Sequence, residues 1–200
     1  MPERAPVLRG ELVVLRPARS SDKADRLACG RDAEMVRMLG GAAATPQQMT
    51  EAEVEIWYRR FARDPLGWVI EAEGRCVGST FLHSVDEHDR RARFAIGIFD
   101  ASAWNRGYGT EATRLVLGHA FETLRLHRVD LRVLEYNARA IACYRKCGFV
   151  EEGVEREDAL IDGRWYSDLR MSVLDHEYRA IRPRSPVPSL PRLGERGDPA

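Results

Sequence analysis

The feature that most constrains this sequence is a segment, residues 94–124, in which an apolar run, a glycine-containing loop and a helical stripe follow one another. The first six residues, Phe-Ala-Ile-Gly-Ile-Phe, are apolar and rich in β-forming side chains, and they predict a buried strand. After Thr110 the apolar side chains recur at every fourth position, in Ala112, Val116 and Ala120, which predicts an amphipathic helix. The loop therefore lies between a strand and a helix N-terminus.

The loop has the sequence Arg-Gly-Tyr-Gly-Thr at residues 106–110, which suits the binding of an anion. The first turn of a helix has unpaired N–H donors and the positive end of the helix dipole, and glycine lets a phosphate approach the backbone. The loop is not a P-loop, because Thr110-Glu111 follows the second glycine, and it lacks the three glycines of a dinucleotide fingerprint. Alone, it is equally compatible with an ordinary strand-to-helix turn.

The composition limits the class of protein. The chain has 200 residues, zero formal net charge and 44% hydrophobic residues, which favours one domain with a sizeable core. The balanced charge argues against a nucleic-acid partner and against an anionic membrane surface. Because no apolar run has transmembrane length and no signal-peptide core is present, we expect a soluble cytoplasmic protein. The four cysteines form no Cys-x-x-Cys pair, so we expect no metal.

The remaining elements predict an α/β (α+β) fold. We expect the order β-α-α-β-β-β-α-β-α-β-β and hence a mixed sheet with helices on both faces. The first strand is expected at Leu12–Leu15, and an early helix is expected from the N-cap Thr45 to Ala62. We expect one domain over residues 1–181 and a disordered tail over 182–200, which contains half of the ten prolines.

A second informative stretch, residues 137–153, predicts a short helix with one apolar face. Asn137 is a suitable N-cap and Gly148 a suitable C-terminal glycine. Ala140, Cys143, Tyr144 and Cys147 are spaced three and four residues apart, which directs Tyr144 toward the sheet. A tyrosine on such a face is usually part of the core, so this position alone does not indicate a catalytic residue.

Together the two stretches resemble the GNAT family of acetyl-CoA-dependent N-acetyltransferases. Within that family the sequence is most similar to ribosomal-protein alanine N-acetyltransferases and spermidine N-acetyltransferases. The resemblance covers residues 9–178. The residues that carry it are the Arg-Gly-x-Gly-Thr-Glu loop, Arg90-Arg91-Ala92-x-Phe94, Asn137-x-x-Ala140, Tyr144-Arg145-Lys146-x-Gly148-Phe149 and Asp162-Gly163 with Asp168-x-x-Met171.

The resemblance implies a GNAT fold, with a mostly antiparallel six- to seven-stranded sheet, and a site for acetyl-CoA. It implies that backbone groups of one strand pair with the pantetheine arm, that loop N–H groups hold the pyrophosphate, and that Asn137 contacts pantetheine or orients the second stretch. Lys146 would reach the nucleotide phosphates and Tyr144 the thioester sulfur. The strand residues are Ile96, Gly97 and Ile98, and the loop residues are Arg106, Gly107, Tyr108, Gly109 and Thr110. One position departs from the family, because Trp104 stands where Gln or Arg is usual.

The residues suit direct attack of an amine on the thioester in a ternary complex, with Tyr144 giving a proton to the departing sulfur. The general base stays open. Relatives often have a glutamate on the strand before the loop, where this chain has Arg93 and Ala95. His83 is a candidate and Glu71 a weaker one, whereas a water relay or an already neutral amine would need no residue.

The expected activity is transfer of an acetyl group from acetyl-CoA to a small-molecule amine or a peptide N-terminus. The alternative is a non-catalytic acyl-CoA-binding or sensing domain. Early carboxylates would suit a polyamine, but a solvated helix face explains them equally well; they are Asp32, Glu34, Glu51, Glu53 and Glu55. A homodimer is common among relatives, and the sequence does not decide it.

Overall fold

One eight-stranded sheet organises this computed structural model, which describes residues 4–42, 44–45 and 48–181. The strands, in chain order, are β1 (Leu8–Arg9), β2 (Val14–Arg16), β3 (Gly67–Ala72), β4 (Arg75–Asp86), β5 (Arg91–Ile98), β6 (Arg128–Leu134), β7 (Val150–Ile161) and β8 (Arg164–Leu174). Their order in the sheet is β1-β2-β3-β4-β5-β6-β8-β7. All neighbours are antiparallel except β5 and β6, so the predicted mixed, mostly antiparallel sheet is confirmed, with one strand more than expected.

Six α-helices occur within the described residues, five between strands and one after the last strand. They are α1 (Asp22–Cys29), α2 (Ala33–Met38), α3 (Glu51–Arg63), α4 (Tyr108–Gly118), α5 (Ala138–Lys146) and α6 (Asp175–Ile181). A wider π turn, His119–Thr123, continues α4. None of these helices is both long enough and apolar enough to cross a membrane.

Both faces of the sheet are covered, as β3 illustrates. Successive side chains of a strand point to opposite faces. Trp68 and Ile70 belong to the large core that includes side chains of α4 and α5, whereas Val69 packs in a smaller cluster with Phe61 of α3. All three β3 side chains are fully buried, so this strand is apolar without alternation. The predicted helices on both faces are confirmed.

The helix α3 begins later than the sequence predicted. Its N-cap is Thr50, whose hydroxyl accepts the N–H of Glu53 at 3.3 Å, while the Glu53 carboxylate accepts the N–H of Thr50 at 2.9 Å. This reciprocal pair is a capping box and satisfies two donors, which Thr45 with a following proline does not do. The prediction that Thr45 caps the helix was therefore wrong, and Pro46 lies outside the described residues.

The first long strand is also shifted, because a distant carboxylate holds the residues before it. The Glu111 side chain accepts the N–H groups of Glu11, Leu12 and Val13 at 2.9, 2.8 and 2.7 Å. Those donors are then not available to the sheet, so β2 starts at Val14 and not at the predicted Leu12. The two-residue strand β1, the helix α6 and the short helix α2 were not predicted, so three helices and not two precede β3. The predicted tail, 182–200, lies outside the described residues.

Candidate active site

The sheet splits between its two parallel strands. β5 and β6 pair through only three residues each, Arg91–Arg93 with Arg128–Asp130, and the Arg93 guanidinium bonds Asp130 at 3.1 Å. Beyond this point β5 continues to Ile98 and β6 to Leu134 without pairing to each other. One edge of β5 therefore has backbone donors and acceptors without a strand partner, which suits pairing with an extended ligand.

A cavity of about 740 Å³ opens in this split, and we call it the cleft. Its walls are residues 94–98 of β5, 132–134 of β6, the loop residues 107–110, one side of α5 and the end of α2. The volume lies within the range of sites that bind small molecules and cofactors. The cleft thus runs from the start of α4 to the open edge of β5.

At one end of the cleft lies the predicted anion loop. Gly107 is the N-cap of α4 and has a φ of +85°, a left-handed conformation that favours glycine. A Cβ on Gly109 would meet only the Cys143 Sγ, at 4.0 Å, so this part of the helix start is open. The first N–H groups of α4 have no intrahelical acceptor, and residues 107–110 line the cleft. Their arrangement suits a phosphate group.

Arg106 contributes no side chain to the cleft. Its guanidinium pairs with Glu73, in the turn between β3 and β4, and the Tyr108 hydroxyl donates to the same carboxylate at 3.1 Å. Bonds from Arg106 and Tyr108 lower the pKa of Glu73, which keeps this ion pair charged at neutral pH. The contacts anchor the loop from outside.

Trp104, the residue that departs from the family pattern, lies at the cleft wall. Its indole Nε1 donates to the Ile98 carbonyl at 3.1 Å. The Arg139 guanidinium stacks 4.0 Å from its ring centroid and also pairs with Glu34 at 3.2 Å. One acceptor on the predicted pantetheine strand, the Ile98 carbonyl, is therefore already bonded. The Ala95 carbonyl accepts from the Thr80 hydroxyl at 2.9 Å on the β4 side, and Ile96 lies between them with its backbone groups toward the open edge.

Asn137 joins two walls of the cleft. Its side-chain oxygen accepts the N–H of Ala140 at 3.1 Å, as the predicted N-cap, and its Nδ2 donates to the Met38 carbonyl at 3.1 Å. Both ends of the amide are engaged, so in this structure Asn137 orients α5 against α2. Lys146, the last residue of α5, also lines the cleft.

Tyr144 lies deep in the cleft and is 7% exposed. Its ring stands edge-on to Phe94, with 6.3 Å between centroids, and also contacts Phe149. Burial raises the pKa of the phenol, so it is neutral at physiological pH. The hydroxyl makes no hydrogen bond to any other residue in the described part of the chain, which leaves its proton for a ligand.

The candidate bases from the sequence do not reach this cavity. His83 pairs with Arg93 in the β4–β5 ladder, its ring contacts Phe81, and it is absent from the cleft walls. Burial, Arg93 and Arg60 lower its pKa. Glu71 bonds Arg16 at 2.5 Å, and it too is absent from the cleft.

Comparison with known proteins places this geometry in a family. Residues 13–150 match the family described as Acetyltransferase (GNAT) domain. The chain is 33% identical over 113 residues to the spermidine N(1)-acetyltransferase of Escherichia coli K12, which is 56% of this chain and 60% of that protein. It is 31% identical to the L-amino acid N-acetyltransferase AaaT of the same strain, over 71% of this chain and 91% of that protein.

A solved structure shows the same fold. The spermidine N-acetyltransferase from Vibrio cholerae, in complex with CoA and spermine, superimposes with a TM-score of 0.70 at 24% identity. The match covers 85% of this chain and 99% of that chain. This protein belongs to the GNAT acetyltransferase family. The family prediction made from the loop and the Asn137–Gly153 stretch is therefore confirmed.

Two residues of this GNAT site were not predicted to have a role in it. Cys143, interpreted as a small core residue, lines the cleft with its Sγ 3.4 Å from the Thr110 Oγ1. Hydrogen bonds from Cys147 and Thr110 lower the pKa of the Cys143 thiol. Asp168 also lines the cleft, from β8. Its presence there depends on β8 lying beside β6, which no local pattern reveals.

Proposed function

We propose that this protein transfers an acetyl group from acetyl-CoA to a primary amine by direct attack in a ternary complex. The observation that carries the proposal is one continuous cleft that joins the helix N-terminus at Gly107–Thr110 to the free hydroxyl of Tyr144. Membership of the GNAT family supports it, as do the names of the two relatives, which are N-acetyltransferases.

The cleft suits acetyl-CoA in length and chemistry. The N–H groups of Gly107, Tyr108, Gly109 and Thr110 would hold the pyrophosphate, and Lys146 would add a positive charge. The open edge of β5 would hydrogen-bond the amides of the pantetheine arm as an added strand. This arrangement directs the thioester toward Tyr144.

The chemistry faces two costs. An ammonium with a pKa near ~10 is neutral in only about one part per thousand at pH 7, a cost of roughly 4 kcal/mol. The departing thiolate must also be protonated, since its parent thiol has a pKa of about 8.5. Tyr144 meets the second cost, because its neutral phenol donates a proton to the departing sulfur.

The acceptor is a small-molecule amine or a peptide N-terminus. One relative is named for spermidine and another for L-amino acids, and both substrates present a primary amine. The shared chemical requirement is an ammonium group that enters beside the thioester and loses a proton before it attacks.

The test is release of the CoA thiol from acetyl-CoA in the presence of pooled polyamines, amino acids, aminoglycosides or short peptides. We expect one pool to give turnover. Tyr144→Phe should lower kcat about 10²-fold while acetyl-CoA affinity is unchanged, because only proton donation is lost. Full activity of that variant would contradict the role of Tyr144. Silence of every pool, with acetyl-CoA still bound, would favour a non-catalytic acyl-CoA-binding domain.

A further inference from the structure

One carboxylate in the cleft has a buried oxygen that no other described residue contacts by a hydrogen bond. Asp168 lies on β8 directly opposite Leu134 of β6, and both side chains line the cleft. The Asp168 Oδ1 is buried and has no hydrogen-bond partner in the described part of the chain. A buried carboxylate oxygen without a donor is costly unless a ligand supplies one.

Glu155 and Asp158 have arginine ion pairs, whereas Asp168 has none among the described residues; the Glu155 Oε2, like the Asp168 Oδ1, forms no hydrogen bond there. Oxygens of Glu155, Asp158 and Asp168 lie within 4.8 Å of one another. Arg132 pairs with Glu155 at 2.8 Å and with Asp158 at 3.1 Å, so the nearest cation is already engaged by the other two carboxylates. Arg170 also lies 3.8 Å from Glu155, so three carboxylates share two guanidinium groups, and the position opens toward the cavity that contains Tyr144.

The charges around Asp168 also favour the binding of a cation there. Burial raises the pKa of Asp168, and the carboxylates of Asp158, Glu155 and Glu135 raise it further, against the opposing charge of Arg132. A carboxyl group with a raised pKa is a better proton acceptor near neutral pH than an ordinary aspartate. An arriving ammonium would offset the same unfavourable charge.

We propose that Asp168 binds the ammonium group of the acceptor and takes its proton. The inference rests on the proposed acetyl transfer and names the base that the sequence left open. It also states the substrate class: an amine that enters as a cation, past the β6–β8 side of the cleft. His83 and Glu71 lie outside the cleft and are not needed for this step.

The step balances as follows. The Asp168 carboxylate takes one proton from the ammonium, which leaves a neutral amine and a neutral carboxyl group. The amine lone pair forms the C–N bond, and the C–S bond breaks with its electron pair on sulfur. Tyr144 gives its proton to that sulfur and regains one from the amide nitrogen. Asp168 releases its proton to solvent, so one ammonium and one thioester give one amide, one thiol and one proton.

The experiment compares Asp168→Asn with Asp158→Asn, a neighbouring acid that pairs with Arg132 and does not line the cleft. Each variant is assayed with the amine that wild type acetylates. At pH 7 we expect Asp168→Asn to lower kcat/KM about 10²-fold, with acetyl-CoA affinity unchanged. The deficit should narrow as pH rises toward the amine pKa near ~10, since free amine then needs no base. Asp158→Asn should stay close to wild type.

A second readout separates a catalytic role from a structural one. Replacing an unpaired carboxylate by the neutral amide should leave the thermal midpoint of Asp168→Asn equal to or above that of wild type. A lower midpoint with weakened acetyl-CoA binding would assign Asp168 a structural role and overturn the inference. So would a wild-type rate and pH profile in Asp168→Asn, while the acetyl transfer itself stood. Wild type that acetylates no amine would instead refute the proposed function.

Discussion

Two carboxylates, Asp22 at the start of α1 and Asp168 on β8, have contrasting surroundings. Both oxygens of Asp22 accept from Arg16 at 2.8 Å, and the Arg19 N–H adds a bond at 2.6 Å. Its side chain is 3% exposed. Asp168 has no such partner and faces the cleft. A buried carboxylate that is fully paired within the protein stabilises the fold. A carboxylate without a donor beside a ligand cavity is available to bind a ligand.

The largest effect on stability should follow from disrupting the Arg16 cluster, in which Asp22 and Glu71 bond the Arg16 guanidinium. Burial tends to lower the pKa of Arg16, but its bonds to Asp22 and Glu71 prevail and raise it, so the guanidinium stays charged. Asp22→Ala leaves that buried charge without its main partner. We expect a loss of about 3–5 kcal/mol in the free energy of unfolding, measured by urea denaturation.

A matched control for Asp22→Ala is Glu55→Ala. Glu55 pairs with Lys23 and Arg59 at the surface, where solvent screens the charges, so its removal should change stability far less. If Asp22→Ala unfolded at the same urea concentration as wild type, the Arg16 cluster would not be a structural counterpart to Asp168.

The same contrast explains how far the sequence predicted the molecule. The helix α4 begins at Tyr108 and not after Thr110, so Gly109 lies in its first turn. The other features whose signals lie within one segment were predicted: the glycine before the helix, the Asn137 cap and the direction of Tyr144. Pairings between distant segments were not. Glu111 shifts the start of β2 from about a hundred residues away, and Asp168 reaches the cleft only because β8 lies beside β6.

The two loop glycines provide a second test of the distinction between fold and ligand. Gly107 has a φ of +85°, and a Cβ there would lie 3.3 Å from Leu12, so Gly107→Ala should cost about 1–2 kcal/mol of stability. Gly109 is in the first turn of α4 with space for a methyl group. Gly109→Ala should therefore keep the thermal midpoint of wild type.

Acetyl-CoA binding should show the opposite order, with Gly109→Ala the more harmful of the two substitutions. A methyl group at Gly109 would obstruct a phosphate at the helix N-terminus, and loss of one charge-assisted hydrogen bond corresponds to about 1.5–3 kcal/mol, or at least tenfold in the acetyl-CoA dissociation constant. Calorimetric titration measures this constant. Unchanged affinity in Gly109→Ala would show that the pyrophosphate does not approach the backbone there.

The smallest effect concerns a buried group that the fold keeps neutral. His119 is 8% exposed and packs edge-on against Trp68 at 5.6 Å, and burial lowers its pKa below the ordinary 6.5. Above pH 6.5 the imidazole is neutral in both states, so its contribution to stability is fully present. As pH falls, the unfolded chain binds a proton that the folded chain resists, and that contribution is lost. His119→Phe should therefore lose less stability than wild type between pH 7 and pH 5, measured by urea denaturation at each pH. Equal losses of unfolding free energy in His119→Phe and wild type would mean that protonating the buried imidazole does not destabilise the fold. The contrast between Asp22 and Asp168 would then apply to carboxylates alone.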